Sequence, residues 1–123
     1  MNIFLIALGS ALGGVCRYLL SKVISDHTAT VFPWGTFVVN IAGCFIIGLI
    51  YGLCARGFNI SDSTRLFLTV GFCGGFTTFS TFAHENYLLF QSGNVLAVAC
   101  YGALSLFVGI VMAYAGEGVG LRL

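Results

Sequence analysis

The chain has 123 residues, 59% of them hydrophobic and 7% charged, with a formal net charge of +1; soluble domains run at roughly 25% charged and 45–50% apolar, so a soluble globule is excluded. The length allows one domain, residues 1–123, and the five basic and four acidic side chains form no stripe that could follow a phosphate backbone, which excludes nucleic acid as a partner. So few spans leave little interior for a private aqueous path, and any transport role implies a second copy.

Charges and turn residues divide the sequence into four apolar stretches, each long enough for the ~20 residues that cross a bilayer core. They are 2–24, 34–55, 63–90 and 95–115, and they predict an all-α membrane protein of four transmembrane helices. The short connectors (Ser25 to Pro33, Arg56 to Asp62, Gln91 to Asn94) suggest antiparallel, closely packed neighbours, with Ser61 or Asp62 and Ser92 or Asn94 as N-caps. The first stretch begins without a positive n-region and runs through Gly13-Gly14 into Arg17, unlike a cleaved secretory signal, and is expected to stay as a span. Arg17 lies about two-thirds along it and needs a partner: it draws anions to a vestibule, or it neutralises Glu85 or a carbonyl end.

The second stretch carries Asn40 within Phe37-Val38-Val39-Asn40-Ile41-Ala42, an amide that must meet a polar partner or a substrate at membrane depth. In the third stretch, the run Gly71-Phe72-Cys73-Gly74-Gly75-Phe76-Thr77-Thr78-Phe79-Ser80-Thr81-Phe82 is the most informative. A continuous helix over 63–90 would measure about 42 Å, longer than a simple span, so an interruption is expected near Gly74 to Thr78. Such a break survives only inside protein or beside a polar cavity, and its freed carbonyls could hold a cation. Beyond it, Phe76, Phe79 and Phe82 form an aromatic stripe at i, i+3, i+6, flanked by Thr77, Ser80 and His84 and by Thr78, Thr81 and Glu85. Packing alone, with hydroxyls bonded back to i−4 carbonyls, would also account for this pattern. His84 and Glu85 stand late in the stretch, at a mouth or interface.

The fourth stretch adds Tyr101 and Ser105 on one face. Neutral donors without a central carboxylate suit an anion better than a cation, since ring edges are positive and amides and hydroxyls donate. Glycine pairs four apart (Gly9/Gly13, Gly48/Gly52, Gly71/Gly75, Gly116/Gly120) indicate close helix packing, with a dimer contact or a pore-side approach as the alternative. Arg56, Arg65 and Arg122 on one side oppose Lys22, with Arg17 if it snorkels, on the other; that bias is weak enough for insertion in either orientation. The five cysteines lack metal or disulfide spacing and read as packing residues, and no catalytic motif occurs, so the chain is not read as an enzyme.

With Gly13-Gly14, Arg17-Tyr18, Trp34-Gly35-Thr36-Phe37, Asn40, Gly43 and the 71–82 motif in order, the sequence closely resembles the Fluc (CrcB) family of fluoride channels. The resemblance implies a fluoride-selective passive channel giving fluoride resistance, built as an antiparallel dual-topology homodimer in a bacterial inner membrane. It implies Phe79, Phe82 and Asn40 as ion contacts, with Ser80, Thr81, Tyr101 and Ser105 as the polar track. It further implies a structural sodium ion (Na+) on the backbone carbonyls of Gly74 and Thr77 from both copies. A track continued one turn beyond Ser105 meets Gly109 in this chain. Two rivals are a proton-coupled drug exporter, which needs a carboxylate that residues 2–25 lack, and a non-transporting scaffold in which Asn40 and the hydroxyls are interhelical glue.

Overall fold

A computed structural model describes residues 2–28 and 32–123; part of the first expected connector, residues 29–31, lies outside them, as does Met1. The described residues form α1 (Asn2–Asp26), α2 (Trp34–Arg56), α3 (Asp62–Leu66), a π-helical stretch (Phe67–Cys73), α4 (Gly74–Phe76), α5 (Ser80–Gln91) and α6 (Val95–Arg122). Four segments (Asn2–Asp26, Trp34–Arg56, Asp62–Gln91 and Val95–Arg122) are long and apolar enough to cross a membrane. Large apolar side chains such as Ile3, Leu96, Phe107 and Tyr114 stand exposed around them, as a lipid-facing surface requires.

Glycine and capping side chains set the boundaries. The α2 helix ends at Gly57, whose φ of 106° only glycine adopts readily, and whose turn is closed by Phe58 N–H donating to the Leu53 carbonyl at 3.1 Å. Ser61 caps α3 by accepting from Thr64 N–H at 3.2 Å. Before α6, the Asn94 side chain makes no cap bond and donates instead to Ser92 Oγ at 3.1 Å. The fourth span outruns its expected end at residue 115. Glu117 lies in helix, its carbonyl against Gly52.

Consecutive spans are antiparallel, but the most intimate packing joins alternate ones, contrary to the expectation from short connectors. The α2 and α6 helices form the largest interface, and α1 packs on the π-helical stretch and α4. Both pairs run parallel. A Cβ on Gly48 would strike the Ala113 carbonyl and one on Gly52 that of Glu117; in return Gly116 and Gly120 abut Phe45 and Leu49. Likewise Gly9 abuts Phe67, and Gly13 abuts Phe72. All four glycine pairs thus serve backbone-to-backbone packing within the chain, where lipid offers no hydrophobic drive.

Candidate functional site

The third span changes course twice. Its π-helical stretch places Thr69, Gly71 and Cys73 against the interior, and the Thr69 hydroxyl bonds back to the Arg65 carbonyl at 2.7 Å. The helical path then stops at Thr77, whose ψ of 160° is extended, and resumes at Ser80. The interruption falls inside the expected window at its far end and beyond it, and Gly74 and Gly75 are not the residues that unwind. Gly75 remains helical because it is spent on packing: a Cβ there would lie 2.5 Å from the Ser10 carbonyl. The extended residue is the β-branched Thr77, whose side chain prefers such backbone, and by Phe79 the dihedrals are already helical again.

Accounting for the freed backbone groups defines the site. Asn40 Nδ2 donates to the Thr78 carbonyl at 3.1 Å, while Thr78 N–H donates to Asn40 Oδ1 at 2.9 Å. The amide therefore acts as a surrogate peptide, holding both polar groups of the unwound residue. Thr78 Oγ1 accepts from Thr81 N–H at 3.3 Å and so caps the resumed helix. The Thr77 hydroxyl bonds back to the Cys73 carbonyl at 2.9 Å. Arg17 Nε donates to the Gly75 carbonyl at 3.2 Å, so of the expected partners it takes a carbonyl end and not Glu85. Among the described residues no N–H donates to the carbonyls of Gly74 or Thr77, and both residues line a groove.

That groove, about 670 Å³, opens along one flank of the chain and brings Asn40, Thr77, Thr78, Phe79, Phe82 and Ser105 together. Among the described residues no charged one lines it. Ser105 Oγ is buried without a partner among the described residues, leaving its proton uncommitted. Gly109 is buried beyond it, with Cys44 Sγ 3.4 Å from where a Cβ would stand, so the track has no hydroxyl there. Ser80 is exposed and Thr81 half-buried at the start of α5.

The aromatic row differs from the expected stripe. Phe76 lies before the break, is buried, and stacks on Phe72 with centroids 5.6 Å apart. The row instead runs Phe79–Phe82 (5.9 Å), Phe82–Tyr101 (4.7 Å) and Tyr101–Phe32 (5.2 Å). It leads from the break toward the end of the bundle where α2 and α6 begin. Phe79 is 79% exposed to the groove side, whereas Tyr101 is wholly buried.

Glu85 is more enclosed than a mouth residue. Its two oxygens accept from the Tyr101 hydroxyl at 2.9 Å and the Thr36 hydroxyl at 3.0 Å. Tyr101 thus joins the row by its ring and commits its proton to Glu85. His84 stays exposed and outside the cluster. Sequence reasoning reached Thr36 only as part of the Trp34-Gly35-Thr36-Phe37 motif, with no role of its own; it precedes Asn40 by four, which puts both on one face of α2.

Residues 4–117 match the family described as "CrcB-like protein, Camphor Resistance (CrcB)". The chain is 46% identical over 115 residues to a fluoride-specific ion channel FluC of Flavobacterium psychrophilum, covering 94% of this chain and 93% of the relative. It is 47% identical over 110 residues to one of Phocaeicola vulgatus (89% and 90% covered). With one of Agrobacterium fabrum it shares 45% over 123 residues (100% and 98% covered).

Proposed function

The chain belongs to the CrcB-like family, and on that premise we propose that it is a passive fluoride-selective channel through which cytoplasmic fluoride leaves down its electrochemical gradient, giving fluoride resistance. It is a multi-pass bacterial membrane protein, and in this reading its membrane is the inner one. The observation that carries the proposal is the break at Thr77–Phe79, clamped by Asn40 and opening onto a groove with neutral donors and no carboxylate.

Fluoride is small and strongly hydrated, and transfer into a low-dielectric span costs tens of kcal/mol unless donors replace its water. Three kinds of donor stand in the groove. Asn40 has a second Nδ2 hydrogen beyond the one given to Thr78. Ser105 has an uncommitted hydroxyl proton, and Phe79 and Phe82 offer ring edges. Ser80 and Thr81 do not line the groove of a single copy; in this proposal they extend its polar side from the start of α5. Each donor is weak alone, so an ion handed between them is not trapped. Arg17 and Glu85 lie off this path, one tied to a carbonyl and the other to two hydroxyls.

The groove is open on one flank, so one copy gives half a conduit. A second copy in antiparallel orientation closes it in this proposal, as the weak charge bias permits. The unpaired carbonyls of Gly74 and Thr77 fit a hard cation, and two copies would present four such oxygens to a structural sodium ion. Bound there, sodium would supply charge to neutralise converging carbonyl dipoles. It takes no part in moving fluoride.

The scaffold reading draws on the same Asn40–Thr78 pair as glue. Phe79→Ile separates the two: at unchanged dimer yield, a scaffold is indifferent, whereas a fluoride path loses flux by about tenfold or more, equivalent to ~1.4 kcal/mol on the barrier. Unchanged flux in that variant would remove Phe79 from the path.

A further inference from the structure

Breaking a helix at Thr77 strips i+4 donors from five carbonyls, those of Gly74, Gly75, Phe76, Thr77 and Thr78, the last of which Asn40 satisfies. In unbroken helix the Gly75 carbonyl would accept from Phe79 N–H. Here it accepts from Arg17 Nε, a donor 58 residues away in sequence. The seam places that donor. Gly9, Gly13 and Arg17 recur every four residues on one face of α1, and the first two touch backbone of the third span, at Phe67 and Phe72. One turn further along the same face, Arg17 meets the last helical turn before the break.

We infer that Arg17 is a positioning residue for the break: its Nε–H, not its charge, replaces the helical donor to Gly75 and keeps Thr77–Phe79 from closing into helix. Closure would return Thr78 N–H from Asn40 to the Gly74 carbonyl and swing Phe79 out of the aromatic row. Arg17 is accordingly a strut for the groove and not an attractor of anions at its mouth. The inference rests on the break being the wall of the fluoride path, but it concerns the backbone and can be read without flux.

Three variants separate donor from charge. Gln places a neutral Nε2–H the same number of bonds from Cα as Arg Nε; Lys keeps the charge but has a methylene at that point; Met has neither. Each is purified as the assembled protein, and two readouts are taken: fluoride efflux from liposomes, and hydrogen exchange of the amides at 77–81. Arg17→Gln is expected to keep efflux within about threefold and exchange unchanged, while Arg17→Met and Arg17→Lys lose about ten- to a hundredfold in efflux, the weight of an unmade bond to a buried carbonyl. In those two variants exchange at Phe79 slows as Gly75 recaptures its N–H. Wild-type behaviour in Lys with loss in Gln would show that charge is what matters and overturn the inference. Wild-type behaviour in all three would overturn it too. If Met fails to fold, the Gln and Lys pair decides alone. If the wild type passes no fluoride, the channel reading fails, and the exchange order among the variants still supports or refutes the strut.

Discussion

The α2 and α5 helices show two ways of making a membrane helix. Seven of the 23 residues of α2 are buried, four of them glycines, and it lies backbone to backbone on α6. Only Leu89 is buried among the 12 residues of α5, which contains no glycine and follows directly on the break. The glycine-seamed pairs are a frame that a single chain completes. The segment from Thr77 through α5 is held by polar clips, namely Asn40 on Thr78, Thr78 on Thr81, and Thr36 and Tyr101 on Glu85. The residues proposed to meet the ion begin where the seam stops.

The contrast is broken most severely in the seam. Gly116→Val would drive a Cβ into the Phe45 carbonyl, forcing α2 and α6 apart; overpacking of this kind costs about 1–3 kcal/mol or more. Folded protein recovered by size-exclusion chromatography should fall sharply. Gly118→Ala, two residues on, has nothing within 4 Å of its new Cβ and should behave as wild type. Equal losses at both positions would mean that helix propensity and not the seam matters.

The clips come next. Asn40→Ala leaves Thr78 N–H and C=O unpaired, which should cost about 1–3 kcal/mol for each group left unsatisfied. Its flux should fall further than its melting temperature implies, because the amide is also a proposed ion contact. Proportionate losses would make Asn40 glue alone. Replacing sodium with a bulky organic cation, which cannot seat between the Gly74 and Thr77 carbonyls, should reduce flux with no change in chain fold by circular dichroism. Full flux after exhaustive exchange would rule out the sodium site. The smallest effect is expected of Tyr101→Phe, which keeps the ring beside Phe82 and removes one bond to Glu85. A hydrogen bond to a charged group is worth about 1.5–3 kcal/mol, softened here because Thr36 still donates. Flux should drop only a few-fold in liposome efflux. A loss as large as that of Phe79→Ile would put the Tyr101 hydroxyl on the path.

Four spans were legible because apolar length, charges and turn residues are local signals. The break was legible as a region because the third stretch is too long for one span and combines glycine with β-branched residues. Its position was not, since a glycine pair reads alike whether it unwinds or packs, and Gly75 lies against Ser10 on a helix 65 residues earlier. Phe76 fell out of the stripe for the same reason: helical spacing carries no phase across a break. The parallel pairing of alternate spans was hidden because connector length fixes which helices follow each other, not which share a seam. The role of Thr36 was hidden because its partner Glu85 looks like an interfacial residue when only its own helix is read.

Fluoride efflux is the measurement that bears most directly on the whole account. Purified protein, reconstituted into liposomes loaded with potassium fluoride, is followed with a fluoride electrode after addition of a potassium ionophore, with chloride-loaded vesicles alongside. The account predicts rapid release of fluoride and retention of chloride. Retention of both ions by a protein shown to be folded and dimeric, or equal release of both, would contradict it.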